Sequence, residues 1–95
     1  SEFMLLFMFA RQIRELLRAR VFIDQGKGSA ALQKELNCHP YVAEKLITQA
    51  RGVSYSRLRA AHRRILQADY RLKRGESASR LELEMVVMDL TAKVF

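Results

Sequence analysis

The feature that most constrains the fold of this sequence is a series of apolar residues whose spacing alternates between three and four positions. Between positions 58 and 72 this spacing joins Leu58, Ala61, Ile65, Ala68 and Leu72. Such a pattern is typical of a helix that packs along antiparallel neighbours. A second stripe near the N-terminus is formed by Leu6, Ala10, Ile13, Leu17 and Val21. Because only four Gly and one Pro are available for tight turns, a β-sandwich is excluded and an all-α fold is predicted.

Cap and turn residues divide the chain into five predicted helices. They cover about 5–24, 30–36, 40–51, 55–74, and from 79 into the C-terminal region. The caps predicted for the second, fourth and fifth helices are Ser29, Ser54 or Ser56, and Ser79. Pro40 suits the first position of the third helix, where its missing N–H would have no partner in any case. Ser79 and Glu82 have the spacing of a capping box, which predicts the start of the fifth helix.

The length of the chain predicts one domain. Ninety-five residues, 49% of them hydrophobic, suffice for one small core. We therefore expect a single five-helix bundle-like domain over residues 4–95, with 1–3 left over from cloning. The longest apolar run, Phe3–Ala10, is too short to span a membrane, which takes about 20 residues. A single cysteine is typical of a reducing, cytoplasmic location.

The fifth predicted helix is apolar on nearly every side. Its apolar positions are Leu81, Leu83, Met85, Val86, Val87, Met88, Leu90, Ala92, Val94 and Phe95. Between positions 81 and 95 its charged residues are Glu82, Glu84, Asp89 and Lys93. A helix of this kind is either central in its own domain or covered by another molecule. Since a small bundle has little interior, we expect part of this surface to contact another subunit; a wholly intramolecular core is the alternative.

The chain carries 17 Lys and Arg against 10 Asp and Glu, a net charge of +7. The basic residues concentrate on the first and fourth predicted helices. They are Arg11, Arg14 and Arg18, then Arg57, Arg59, Arg63, Arg64, Arg71, Lys73 and Arg74. Three roles remain open: following a phosphate backbone, forming a solvated face, or pairing with carboxylates of a neighbouring subunit.

No residue set has the spacing of a catalytic, cofactor or metal site. Cys38 and His39 are adjacent in a turn, so they do not face each other as a nucleophile and its base must. With His62 they are the only soft or imidazole ligands, and metal-binding spacing is lacking. The glycine-containing segment 26–29 follows a helix rather than a strand, unlike phosphate-binding loops. We therefore expect no cofactor, no metal and no enzyme activity.

Residues 29–47 allow a different function, that of a small DNA-binding domain. Their two helices and the turn at 36–39 have the pattern of a helix-turn-helix. The second helix would present Tyr41, Glu44, Lys45 and Gln49 to the major groove. The turn lacks its usual Gly, however, and Glu44 would face phosphates with the wrong sign. We keep this function as the alternative to a subunit-contact domain.

Three short motifs occur in a characteristic order along the chain. They are LLFMFARQIR at 5–14, LNCHPYVAEK at 36–45 and ADYRLKRG at 68–75. Together they resemble the C-terminal helical domain of the bacterial DNA polymerase III delta subunit, which has a His-Pro turn and an Asp-Lys-Gly run at similar places. The sequence departs from that family at Asn37, where Gly is common, and in the bulky residues 7–9.

The resemblance implies an oligomerisation module of the clamp-loader collar type. In that family the domain packs against gamma/tau and delta-prime collar domains, and the complex loads the sliding clamp on primed DNA. The element that contacts the clamp would lie in an N-terminal part outside this sequence, and delta itself is no ATPase. From helical faces, the expected subunit-contact residues are Arg11, Arg14, Arg18, Arg63, Arg64, Met85, Val86, Met88 and Asp89.

Overall fold

A computed structural model describes residues 1–76 and 78–94, with side chains up to Thr91. It contains five helices: α1 (Glu2–Asp24), α2 (Ser29–Leu36), α3 (Pro40–Arg51), α4 (Tyr55–Lys73) and α5 (Ser79–Val94). Within those residues no strand occurs, and the predicted five-helix, all-α fold is confirmed. The first helix begins three residues earlier than predicted, because the Oγ of Ser1 accepts the backbone N–H of Met4 and caps it.

Helix α1 is the centre of the arrangement and packs against each of the other four helices. Helices α2 and α3 pair with each other on its C-terminal half. There Nη1 of Arg20 donates to the carbonyl oxygens of Ala50 (3.1 Å) and Arg51 (3.4 Å). Those bonds join the C-terminal end of α3 to the C-terminal end of α1. Helix α4 therefore begins beside the C-terminal end of α1 and runs antiparallel to α1. Helix α5 then packs on α4 and on one edge of α1.

The core follows the predicted stripes closely on α4 and less closely on α1. All five residues of the α4 stripe are buried. On α1, Leu6, Ala10 and Ile13 are buried as predicted, but Leu16 and Ala19 replace Leu17 and Val21, which are half-buried. Leu16 and Ala19 lie in the part of α1 on which α3 packs, between Gln12, which bonds to Gln49, and Arg20, which bonds to Ala50. The buried face therefore turns as α1 passes from one neighbour to the next.

Two predicted caps differ from the observed ones. Ser29 is the first residue of α2 rather than its cap; Gly28 occupies the cap position without a side-chain bond. At the start of α5 the carbonyl of Ala78 accepts the N–H of Glu82 at 3.0 Å. The helix starts where the capping box predicts, but the Glu82 carboxylate points into the bundle instead of back to the cap. For α4, Ser54 is the cap, since its Oγ accepts the N–H of Arg57 at 3.2 Å.

Candidate subunit-contact surfaces

Helix α5 presents an apolar side to solvent and turns its opposite side into the bundle. Leu81, Met85 and Met88 lie one turn apart and are exposed, Met88 to 71%. Val86 is fully buried in the core. We call the exposed side, formed by Leu81, Met85 and Met88, the α5 face. The side chains of 92–95, which the prediction also included, lie outside the described residues.

A buried ion cluster determines which side of α5 faces inward. Glu82 is fully buried, and its Oε1 accepts from Nη1 of Arg64 at 3.1 Å. Nε of the same guanidinium donates to Oδ2 of Asp89, two helical turns further on, at 2.7 Å. Nε of Arg71 lies 3.9 Å from the other Glu82 oxygen. Because apolar residues surround α5, hydrophobic burial alone would leave its rotation undetermined, and the ion pairs supply the missing constraint.

Three of the expected contact residues are engaged within the domain. The Arg64 side chain is only 10% exposed. Burial lowers the pKa of its guanidinium, but the hydrogen bonds to Asp89 and Glu82 outweigh that effect and leave the pKa raised. Asp89 is thus a partner of Arg64, and Val86 is a core residue. These three residues are not part of the surfaces that we propose below for subunit contact.

The outer sides of α1 and α4 form a second surface, on the far side from α5. On α1 it follows Phe3, Phe7, Arg11, Arg14 and Arg18, and on α4 it follows Arg59, Arg63, Leu66 and Tyr70. Each set has the three-and-four spacing of one helical stripe, and all of these residues are exposed. We call this surface the α1–α4 face. Its aromatic and leucine residues form the apolar end, and its arginines form the basic end.

His62 lies between the two helices at the basic end of this face. Burial lowers the pKa of its imidazole, and the positive charges of Arg14 and Arg59 lower it further. The imidazole is therefore neutral near pH 7. Arg11 forms the expected i,i+4 ion pair with Glu15 at 3.2 Å, and Arg18 pairs with Glu35 of α2.

Helices α2 and α3 adopt the arrangement that suggested a helix-turn-helix. Asn37 has φ 51°, the left-handed conformation for which Gly is usual. Asparagine is one of the few other residues that enter this region at low cost, so the turn forms without Gly. His39 caps α3, as expected of a structural histidine, because its Nδ1 accepts the N–H of Tyr41 at 3.0 Å.

The side chains that would read DNA are exposed, but they do not form a basic surface. These side chains are Tyr41, Glu44, Lys45 and Gln49. Oε1 of Gln49 accepts from Nε2 of Gln12 on α1 at 3.5 Å, so this residue also contacts its own domain. Glu44 places a negative charge among them, which phosphates would repel.

The remaining candidate motifs form turns. Gly26 has φ 76°, and the N–H of Lys27 donates to the carbonyl of Phe22 at 2.8 Å, which closes the α1 terminus. The ammonium of Lys27 lies over the Phe22 ring at 4.9 Å. Among the described side chains there is no group of three or more His, Cys, Asp or Glu that could hold a metal ion. None of the described helices combines the length and the hydropathy needed to cross a membrane.

Comparison with known proteins assigns the domain. The family model for the C-terminal domain of the DNA polymerase III delta subunit matches residues 1–90. The chain belongs to this family. The DNA polymerase III subunit delta of Bacillus subtilis (strain 168) is 29% identical over 83 residues, which cover 87% of this chain and 24% of that relative. The solved Bacillus subtilis DNA clamp loader delta protein matches with a TM-score of 0.88 and 27% identity, over 95% of this chain and 26% of that one.

The family match includes all of α1 to α4 and most of α5, and this chain spans about a quarter of the length of the relatives it matches. The family assignment favours a clamp-loader domain over a separate small DNA-binding domain. Two features of this family member were missed by the sequence analysis. One is the inward role of Glu82, for which the signal was its seven-residue spacing from Asp89 on an otherwise apolar helix. The other is the outward stripe on α4 that contains Leu66 and Tyr70.

Proposed function

We propose that this chain is the oligomerisation domain of a clamp-loader delta subunit. In this function it packs against the collar domains of gamma/tau and delta-prime, so that the assembled complex can load the sliding clamp on primed DNA. The domain works as a scaffold in the cytoplasm and has no catalytic role of its own. Contact with the clamp belongs to the part of a delta subunit that lies outside this chain.

The observation that carries the proposal is the uncovered α5 face. Large apolar side chains this exposed are rarely grouped on the surface of a monomer, and such groups mark protein–protein contacts. Covering Leu81, Met85 and Met88, which are 54%, 41% and 71% exposed, would contribute roughly 1 kcal/mol for each side chain. Because Arg64 and Glu82 fix the rotation of α5, the face is already in place before a partner arrives, which lowers the cost of binding.

The test uses a full-length delta subunit that contains this domain, mixed with gamma/tau and delta-prime. Native mass measurement gives the composition of the product, and titration gives the affinity. We expect the double variant Leu81→Ser/Met88→Ser to weaken assembly by about thirtyfold, which corresponds to roughly 2 kcal/mol for the apolar area it removes. The matched control is Tyr41→Ser on α3, a 63% exposed residue that belongs to neither face, which should leave assembly unchanged. Equal affinity of the α5 variant and the unmodified protein would refute the proposal.

A further inference from the structure

We propose that the α1–α4 face is a second docking surface, and that its occupant is a segment of a different protein subunit that is apolar at one end and carries carboxylates at the other. This inference rests on the proposed function and deepens it, since it assigns a partner chemistry to a surface separate from the α5 face. Three observations support it. They are the order of residues along the two helices, the arginines of the face that lack a carboxylate partner among the described residues, and the part of the face that each possible occupant would leave exposed to water.

The two ends of the face are aligned across the helices. Because α1 and α4 are antiparallel, and Arg20 and Asp24 border the same hollow as Tyr55, residues about fifteen positions before this part of α1 and about fourteen positions after Tyr55 lie at a similar level of the bundle. Phe7 is therefore level with Asp69, next to Tyr70. Phe7 is 60% exposed and Tyr70 is 59% exposed. Nη1 of Arg74 donates to the Tyr70 hydroxyl at 2.7 Å and its guanidinium lies over the Tyr70 ring at 5.3 Å, so the apolar end is bordered by one cation. Apolar surface on both helices thus coincides at one end of the face.

At the other end of the face, arginines of α1 and α4 lie at the same level of the bundle. By the same counting from Tyr55, Arg63 lies level with Arg14, and the charges of Arg14 and Arg59 both lower the pKa of the half-buried His62. The described residues supply no carboxylate partner for Arg14 or Arg63, and Arg59 donates to the hydroxyl of Tyr55 at 3.4 Å. Positive charges this close together on a folded surface repel one another, and binding of negatively charged groups removes that repulsion. The basic end therefore favours a partner that brings carboxylates or phosphates.

A hollow beside the basic end offers room for such groups. It lies between α1 and the α2–α3 turn and is bordered by Arg11, Arg14, Glu15 and Arg18. Arg11 pairs with Glu15 and Arg18 with Glu35, so Arg14 is the guanidinium there that lacks a carboxylate partner among the described residues. Leu36 and Val42 form part of its wall. An acidic side chain with an aliphatic stem can place its carboxylate among the guanidinium groups while the stem packs on the apolar wall.

The apolar end decides between the possible anionic partners. Duplex DNA would neutralise the arginines with its phosphates, but its bases are stacked inside the helix and would leave Phe7, Leu66 and Tyr70 in water. A second copy of this chain would bring the same arginines and no compensating acidic stripe, so like charges would meet or remain uncovered. A helix of another subunit, apolar over two turns and acidic over the next two, covers both ends together. The order of its residues also fixes the direction in which it binds.

The test measures assembly of the full-length delta subunit with gamma/tau and delta-prime. The double variant Arg14→Glu/Arg59→Glu should raise the dissociation constant by at least about tenfold, because two attractive charge pairs become repulsive. The matched control, Lys34→Glu/Lys45→Glu, makes the same change of charge at exposed positions of α2 and α3 and should stay within about twofold of the unmodified protein. Raising the salt from about 50 to about 300 mM should weaken the unmodified complex more than the arginine variant. Circular dichroism melting verifies that all variants are folded.

The other possible outcomes distinguish a failure of this inference from a failure of the proposed function. If the arginine variant assembles as tightly as the control while Leu81→Ser/Met88→Ser does not assemble, the α1–α4 face is refuted and the proposed function stands. If the unmodified subunit itself fails to assemble, the proposed function is refuted. If the arginine variant loses affinity for single-stranded or duplex DNA but keeps its affinity for the partner subunits, the occupant is nucleic acid and the inference is overturned.

Discussion

Replacing Arg64 with methionine removes the main cation that holds the buried Glu82 carboxylate. Glu82 is fully buried, and the remaining cation, Arg71, approaches it only to 3.9 Å. Breaking a buried ion pair by removing one partner costs about 3–5 kcal/mol, because the other charge stays buried without compensation. A domain of this size has a total stability of roughly 5–14 kcal/mol. We therefore expect Arg64→Met to lose about 3 kcal/mol and a large share of the stability of the fold.

Urea unfolding followed by circular dichroism measures this loss, and a double-mutant cycle isolates the pair. Glu82→Met alone should also destabilise the fold, because it leaves Arg64 in the bundle with Asp89 but without its Glu82 partner. The double variant Arg64→Met/Glu82→Met should recover at least about 2 kcal/mol relative to the sum of the single losses. Arg80→Met is the matched control, because Arg80 pairs with Glu84 at 3.3 Å on the exposed side of the same helix. It should change stability by less than about 0.5 kcal/mol. Additive single losses, or a cost of Arg64→Met no larger than that of Arg80→Met, would refute the reasoning.

Three further predictions follow from single positions. Asn37→Ala should lower the free energy of unfolding by about 1 kcal/mol and Asn37→Gly should not, because φ is 51° there; an equal loss in both variants would contradict this. Leu32→Ala should cost ~3 kcal/mol and raise hydrogen exchange first in α2, where Leu32 is fully buried; uniform exchange across all helices would count against it. His62 has a lowered pKa in the fold, so the unfolded chain binds a proton more readily and stability should fall as the pH drops below about 6.5. His62→Gln should reduce that dependence in pH-resolved denaturation, and an unchanged slope would show that other groups cause it.

The fold was predictable because local signals and burial agree over most of the chain. The α4 stripe from Leu58 to Leu72 is one continuous helix side, and it packs as one. Pro40 and Ser54 mark helix starts by chemistry that acts within a single turn. On α1 the agreement ends after Ile13, because from there the burial depends on α3, whose position no periodicity on α1 encodes.

The contact surfaces were only partly predictable. The exposed Met85 and Met88 were expected from the excess of apolar residues on α5, yet Val86 and Arg64 belong to the domain's own interior. Which residues of an all-apolar helix face inward depends on its charged partners on α4, and that pairing is a tertiary property. Once the Arg64–Glu82 pair is known, the outward positions follow from helical geometry alone.

The central position of α1 has a consequence for how substitutions in such a domain act. Helices α2 and α3 join the rest of the described structure through α1, whereas the α5 face and most of the α1–α4 face lie on α1, α4 and α5. Residues 25–53 therefore form a helical hairpin that is attached to the rest of the described bundle through α1. A substitution in this hairpin therefore reaches the α5 face only through α1, by way of contacts such as the bonds from Arg20 to the carbonyl oxygens of Ala50 and Arg51, whereas a substitution in α1, α4 or α5 acts on the proposed contact surfaces directly.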